Sequence, residues 1–285
     1  MRKVIRYDAV ISGYYGFGNM GDDAVLSVLT EKLRERNPEA RIAVISKNKS
    51  ESEKKYGVSC IGRFDLWGIV RAMLGAKMLI MGGGSLLQNE TSRRSLMYYT
   101  FIVKLGHFLC KNVFVYANGI GALKGRSGYR RARRALLSAD RVSVRDPDSF
   151  VIARSLGKDA KRTVLSADPV FLMSLPSDGA AQLRLLEAGL SGKRFFAVSL
   201  RVTRDEKELP FSEIVNFCKK YSSKGLLPLF LPMQDEYDGE LCRRAARECG
   251  GKVLFCDDAR TLGAILGKAE FSVGMRLHFL LLSLM

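Results

Sequence analysis

Histidine is scarce in this sequence. Only His107 and His278 occur in 285 residues, which excludes a centre built from several imidazoles, and no metal is expected. The six cysteines (Cys60, Cys110, Cys218, Cys242, Cys249, Cys256) form no C-x-x-C pair and no dense pattern. They read as reduced, mostly buried thiols of a cytoplasmic chain rather than a disulfide framework. Long apolar runs are also missing. The longest, Leu96–Val115, is interrupted by Lys104, His107 and Lys111 and falls short of the ~20 apolar residues a spanning helix needs. No repeat, low-complexity tract or signal-peptide pattern is present, and the N-terminus runs straight into a strand.

Acidic residues are outnumbered: 29 Asp and Glu face 46 Lys and Arg, a net charge of +17. The excess concentrates between Lys124 and Arg141, where Arg126, Arg130, Arg131, Arg133 and Arg134 crowd one segment. Such a face attracts anionic lipid headgroups, nucleic acid or a phosphorylated substrate, or is simply a solvated helix surface. The stretch lacks interleaved aromatics and any nucleic-acid motif, so no nucleic-acid partner is expected.

What is present is 47% hydrophobic and 26% charged, the balance of a globular protein, in a chain long enough for two domains. Strand and helix patterns alternate from Tyr7–Ser12 through Arg41–Ser46, Met78–Met81, Val113–Ala117 and Val142–Val144, which implies a parallel sheet covered by helices. The rhythm breaks at Asp168–Ala181 and restarts with strands at Phe195–Leu200, Leu227–Leu231, Lys252–Phe255 and Glu270–Val273. The expected fold is α/β with two Rossmann-like domains, residues 1–172 and 173–285, and a ligand site at the carboxyl ends of the strands. The chain ends inside an apolar helical pattern at Phe279–Met285, so the second domain is expected to be truncated.

The organising stretch is Ile11–Leu26, a strand, a glycine loop and a helix. Gly16, Gly18 and Gly21 spell G-x-G-x-x-G, the dinucleotide pattern. Two features oppose that reading. The next strand ends in Ser46 and Lys47, not in an acid for a ribose hydroxyl, and Asp22 and Asp23 would repel a pyrophosphate at the helix start. These acids either cap the helix or meet a hydroxylated or cationic group. A second glycine turn, Gly82-Gly83-Gly84-Ser85, follows the strand at Met78–Met81.

Arg145 and Arg201 follow strands directly, while Arg276 and His278 come after the strand Phe271–Val273 and Gly274, where a helix starts. Together they suit an anion pocket, because guanidinium pairs bidentately with phosphate or carboxylate. Taken singly, each is as well explained by an ion pair, Arg145 with Asp146 or Asp148. His278 is either a buried residue at a helix start or a phosphate ligand and general acid or base. Gln234 and Asp235 follow the strand Leu227–Leu231; Asp235 is either a base for a sugar hydroxyl or a helix cap.

In these motifs the sequence resembles the polysaccharide pyruvyl transferase family, especially its bacterial cell-surface type. The resemblance runs nearly end to end through GYYGFGNMGDDAVL, MGGGSLLQNETSRRSLMYYTFIV, VFVYANGIGALKG, VSVRDPDSF, SADPVF, VSLR, LPMQ and GMRLH. It implies a glycosyltransferase-B-like fold, no cofactor, and phosphoenolpyruvate as donor. Pyruvate would pass as a ketal to a sugar such as N-acetylmannosamine in a cell-surface polysaccharide precursor, with phosphate released. Arg145, Arg276 and His278 would hold the donor, Asn19, Gly21 and Asp22 with Gly83, Gly84 and Ser85 would line the site, and Asp235 or His278 would move protons. Asp23, Asn89, Asn118 and Ala122 depart mildly from the family pattern. The family also continues past R-x-H through a strand and a lysine-bearing segment. The resemblance implies a lipid-linked acceptor, which gives the basic face a role at the inner membrane surface. The alternatives are a nucleotide-sugar glycosyltransferase of the same architecture, with Asp257 or Asp258 on the ribose, and a non-catalytic basic membrane-surface protein.

Overall fold

The computed structural model describes residues 7–90, 92–157, 162–202 and 209–285. The chain divides into two compact units, Met1–Phe17 with Val25–Pro169, and Gly18–Ala24 with Val170–Met285. Each contains one parallel sheet.

The first unit runs β1 (Ala9–Ser12), α1 (Met20–Arg36, of which Met20–Ala24 count with the second unit), β2 (Ile42–Ser46), α2 (Lys49–Tyr56), β3 (Ser59–Gly62), α3 (Leu66–Met73), β4 (Met78–Gly82), α4 (Arg93–Leu109), β5 (Asn112–Asn118), α5 (Gly125–Ser138), β6 (Arg141–Val144), α6 (Pro147–Ser155) and β7 (Thr163–Leu165). Its seven strands lie in the order β3-β2-β1-β4-β5-β6-β7. Side chains alternate across the sheet, so Val10, Leu79 and Met81 face one core with α3, α4 and α5, while Ile11, Val44 and Ile80 face the other with α1. Strands covered on both faces read as continuous apolar runs, which is why β1, β2 and β4 are legible in sequence. The pair α2 and β3 was not anticipated: KSESEKKY carries one large apolar residue, and SCIG is too short for a periodic signal.

The strand order reverses between β1 and β4, and the two glycine loops follow these strands. Buried tyrosines hold the loops together: Tyr15 donates from its hydroxyl to Gly82 O (2.7 Å), and Tyr99 to Gly13 O (3.1 Å). At the end of β5 the register shifts between Val115 and Asn118, with Ala117 in the left-handed region at φ 45°. The shift turns the buried Asn118 amide toward Met81 O, at 2.9 Å.

The second unit continues through α7 (Asp178–Glu187), β8 (Phe195–Ser199), α8 (Phe211–Ser222), β9 (Leu227–Phe230), α9 (Asp235–Cys249), β10 (Lys252–Val253), α10 (Ala259–Leu266), β11 (Ser272–Gly274) and α11 (Leu277–Leu282). Strand order is β10-β9-β8-β11, reversing between β8 and β11. Phe196, Val198 and Phe230 pack with Val215, Cys218 and Cys242 from α8 and α9. The expected break at Asp168–Ala181 contains a 3-10 turn at Pro169–Leu172 and the first turn of α7. The strand expected at Lys252–Phe255 pairs over only two residues.

The six cysteines are all free. Burial pushes the thiols of Cys60, Cys242 and Cys256 up to about 12 and that of Cys110 up to about 11. The thiolate is the reactive form, so these four should remain protonated and unreactive at pH 8 and begin to react only as the pH approaches those values. Intact-mass measurement after iodoacetamide treatment checks this, with labelling in urea as the positive control. Rapid labelling of any of the four in the folded chain would contradict the burial argument.

Candidate active site

In the first unit the expected residues gather around Arg145. Its guanidinium donates from Nη1 to Asp168 Oδ2 (2.8 Å) and from Nη2 to Ser85 Oγ (3.1 Å). The ion pair is nearly buried, at 10% and 4% side-chain exposure. Asp146 is not the partner. It caps α6, accepting from Ser149 N at 2.7 Å. Burial therefore selects Asp168, 23 residues away in sequence, over the adjacent acids. Gly83 and Gly84 both adopt positive φ (68° and 66°), and Gly119 N donates to Gly84 O, so Ser85 is delivered to Arg145 by a turn only glycines form easily.

In the second unit the centre is Arg276. Its Nε and Nη2 both donate to Asp238 Oδ2, at 3.0 and 2.6 Å, while Asp238 Oδ1 accepts from Val202 N at 3.2 Å. Asp238 is fully buried and Arg276 retains 15% exposure, so the carboxylate fixes the guanidinium and leaves one edge of it open. The strand β9 is followed by α9, and Asp238 was not among the expected site residues. The helix begins at Asp235, which puts Asp238 on the buried stripe with Cys242, Ala245 and Cys249. An acid at an apolar position of an amphipathic helix was the available signal.

The R-x-H motif also meets the first turn of α1. A Cβ added to Gly21 would lie 2.3 Å from His278 Nδ1, so the imidazole packs directly on the glycine backbone. Met20 N donates to Met233 O (2.9 Å), joining the same turn to the LPMQ segment. The helix is capped by Asn19, whose Oδ1 accepts from Gly21 N at 3.1 Å. This corrects the capping role considered for Asp22 and Asp23. They lie within the first turn, Asp22 buried.

Gln234 is buried at the N-cap position of α9 without capping it through its side chain. Asp235 is the first helical residue, exposed, with its carboxylate 3.6 Å from Arg243 Nη1. Arg201 is exposed after β8 and makes no ion pair with a described residue. The structure thus brings Ser85 and Arg145 together in one unit, and Gly21, Arg276 and His278 in the other. Asp258, considered for a ribose, caps α10 by accepting from Arg260 N and Thr261 N at 2.9 Å.

Two units, each a parallel sheet covered by helices, define a glycosyltransferase-B-like fold. Solved structures of that class share the fold: S. aureus MnaA with UDP (TM-score 0.59, 10% identity, covering 95% of this chain and 74% of that one), Anabaena HepE with UDP and glucose (0.58, 10%, 94% and 73%), and a UDP-N-acetylglucosamine 2-epimerase (0.63, 8%, 96% and 74%). None of the curated proteins matches the chain in sequence. The description of the polysaccharide pyruvyl transferase family matches residues 19–285, and the chain belongs to that family of transferases.

Proposed function

We propose that the protein transfers pyruvate from phosphoenolpyruvate to two hydroxyls of one sugar, such as N-acetylmannosamine in a cell-surface polysaccharide precursor, forming a ketal and releasing phosphate. The observation that carries this reading is the pair of strand-end arginines, Arg145 and Arg276, each oriented by a buried aspartate. Phosphoenolpyruvate carries a phosphate and a carboxylate, and a guanidinium fork suits either group. Preorganised donors cost no reorganisation when charge shifts during reaction.

Protonation of the donor methylene makes its central carbon oxocarbenium-like. One sugar hydroxyl adds to that carbon, the bond to the phosphate oxygen breaks, and the second hydroxyl completes the ketal. Of the two hydroxyl protons, one balances the proton that became part of the methyl group and the other leaves with phosphate. His278 and Asp235 are the groups assigned to this proton traffic. Asn19, Gly21, Asp22, Gly83, Gly84, Ser85, Arg201 and Gln234 complete the assigned binding set. The lipid-linked form of the acceptor belongs to the same proposal, as does work at the inner face of the membrane without a cofactor.

Calorimetric titration with phosphoenolpyruvate tests the reading. Saturable binding is expected, with affinity falling at least tenfold in Arg276→Lys, which keeps a charge beside Asp238 but loses the fork. Absence of binding to a chain that melts cooperatively would remove the proposal. The second reading, a nucleotide-sugar glycosyltransferase, is favoured by the UDP in the MnaA and HepE structures. Saturable UDP binding with no response to phosphoenolpyruvate would establish it instead.

A further inference from the structure

Helices α3, α4 and α5 cover one face of the first sheet, and none of the three contains an acidic residue. Arg71, Arg93, Arg94 and Lys104 stand on α3 and α4, and α5 adds five arginines. All are exposed, and none is salt-bridged to a described residue. Arg93, Arg94 and Arg126 sit in the first turns of their helices, where the helix dipole disfavours positive charge. Helix stability alone does not account for that placement.

The same layer exposes large apolar side chains. Phe64, Trp67 and Phe108 are 83%, 81% and 80% exposed. On α4, Met97, Phe101, Lys104 and Phe108 follow helical spacing along the outward ridge. Alongside, α3 presents Leu66, Trp67 and Leu74 at its two ends. The segment leading into α3 is held to α4 where Tyr98 donates to Arg63 O (3.0 Å) and Phe64 meets the Tyr98 ring edge-on at 6.3 Å. Packed against α4, α5 carries the densest charge. The result is an apolar ridge flanked by cations on a single face.

Water disfavours so much exposed aromatic surface, and a protein partner complementary to an acid-free face would itself be acidic and apolar. A bilayer with anionic headgroups offers both properties in one layer, phosphates outside and acyl chains beneath. We propose that the outer face of the α3–α4–α5 layer docks on an anionic phospholipid bilayer, with Phe64, Trp67, Phe101 and Phe108 entering the headgroup–acyl boundary and the α5 arginines on the lipid phosphates. Either signal alone binds a membrane weakly and reversibly, and the two together hold the chain. The proposal deepens the membrane-surface part of the proposed function and does not depend on the identity of the pyruvyl donor.

Trp67 is the only tryptophan in the sequence, so its fluorescence reports this face specifically. The full chain is titrated with phosphatidylcholine vesicles, and with vesicles containing added phosphatidylglycerol. The expected result is a blue shift of Trp67 emission with the anionic vesicles only, reversed by salt, and quenching by lipids brominated on the acyl chain. Each of Arg130, Arg131, Arg133 and Arg134 changed to alanine should weaken partitioning about fivefold, the factor equivalent to roughly 1 kcal/mol per cation at an anionic surface. The double change Phe64→Ser, Phe108→Ser should keep a cooperative thermal melt, because these side chains are 83% and 80% exposed, and lose the quenching. Unchanged emission with both vesicle types would overturn the proposal, as would vesicle binding without quenching. An emission shift that follows protein concentration in the absence of lipid would also overturn it, assigning the face to a second copy of the chain. No arm requires turnover, so failure here and failure of the pyruvyl transfer reading are distinguishable.

Discussion

Replacing Asp238 with alanine is expected to destabilise the protein by about 3–5 kcal/mol, the usual cost of leaving one member of a buried ion pair uncompensated. Asp238 is fully buried and accepts three hydrogen bonds, two from Arg276 and one from Val202 N. Its loss strands a guanidinium that is only 15% exposed and orphans a backbone amide. Asp238→Asn should cost less, since an amide oxygen still accepts from one donor. Replacing both partners, as Asp238→Leu with Arg276→Met, should recover most of the stability while abolishing donor binding, because an apolar pair of similar volume often matches a buried ion pair. Urea denaturation measures the first quantity and calorimetry the second. A cost below about 1 kcal/mol for the alanine variant would mean that the pair is solvated, and the preorganisation argument for Arg276 would fail with it.

The second large effect is expected at Gly83. The residue adopts φ 68°, and a Cβ there would lie 2.4 Å from Val25 Cγ1 on α1. Gly83→Ala therefore carries a backbone cost of about 1–2 kcal/mol for the left-handed conformation, and an overpacking cost of about 1–3 kcal/mol. The two parts can be separated. In a Val25→Ala background the contacts with both Cγ atoms are removed and only the Cβ contact at 3.0 Å remains, so the penalty of Gly83→Ala should fall toward the backbone share. Donor affinity should decrease in parallel, because the turn carries Ser85 to Arg145. Equal penalties in both backgrounds, measured by urea denaturation, would show that Val25 is not the obstacle.

Much of this molecule is visible in sequence for one physical reason. Strands sandwiched between two helix layers must be apolar throughout, so β1, β2, β4, β5 and β8 stand out as uninterrupted runs, and the residues after each run fall at the carboxyl edge of the sheet. That logic pointed to Arg201 after β8 and, past two further glycines, to Ser85 after β4; Arg145 and Arg276 follow β6 and β11, short strands with exposed positions. It failed where the local signal was weak: at α2 and β3, too polar or too short, and at β10, whose expected four residues pair over two. It also extended capping roles to Asp22, Asp23 and Asp235. In the structure Asn19 caps α1, and Gln234 occupies the N-cap position of α9.

The sequence by itself determined the parallel α/β class, the glycine turns, the strand-end cations and the family, all of which are short-range patterns of polarity and residue type. Tertiary structure alone decided which groups meet. Arg145 takes Asp168 and not the adjacent Asp146; Arg276 takes Asp238 from another helix, 38 residues away; His278 rests on Gly21 from the opposite end of the chain. The reason is that burial raises the cost of an unpaired charge far above any preference for a near neighbour in sequence. Each arginine pairs with the acid that the strand order leaves buried beside it. The acid-free face of α3, α4 and α5 follows the same division: its composition is written in the chain, but its continuity exists only because the crossovers set the three helices side by side on one face of the sheet.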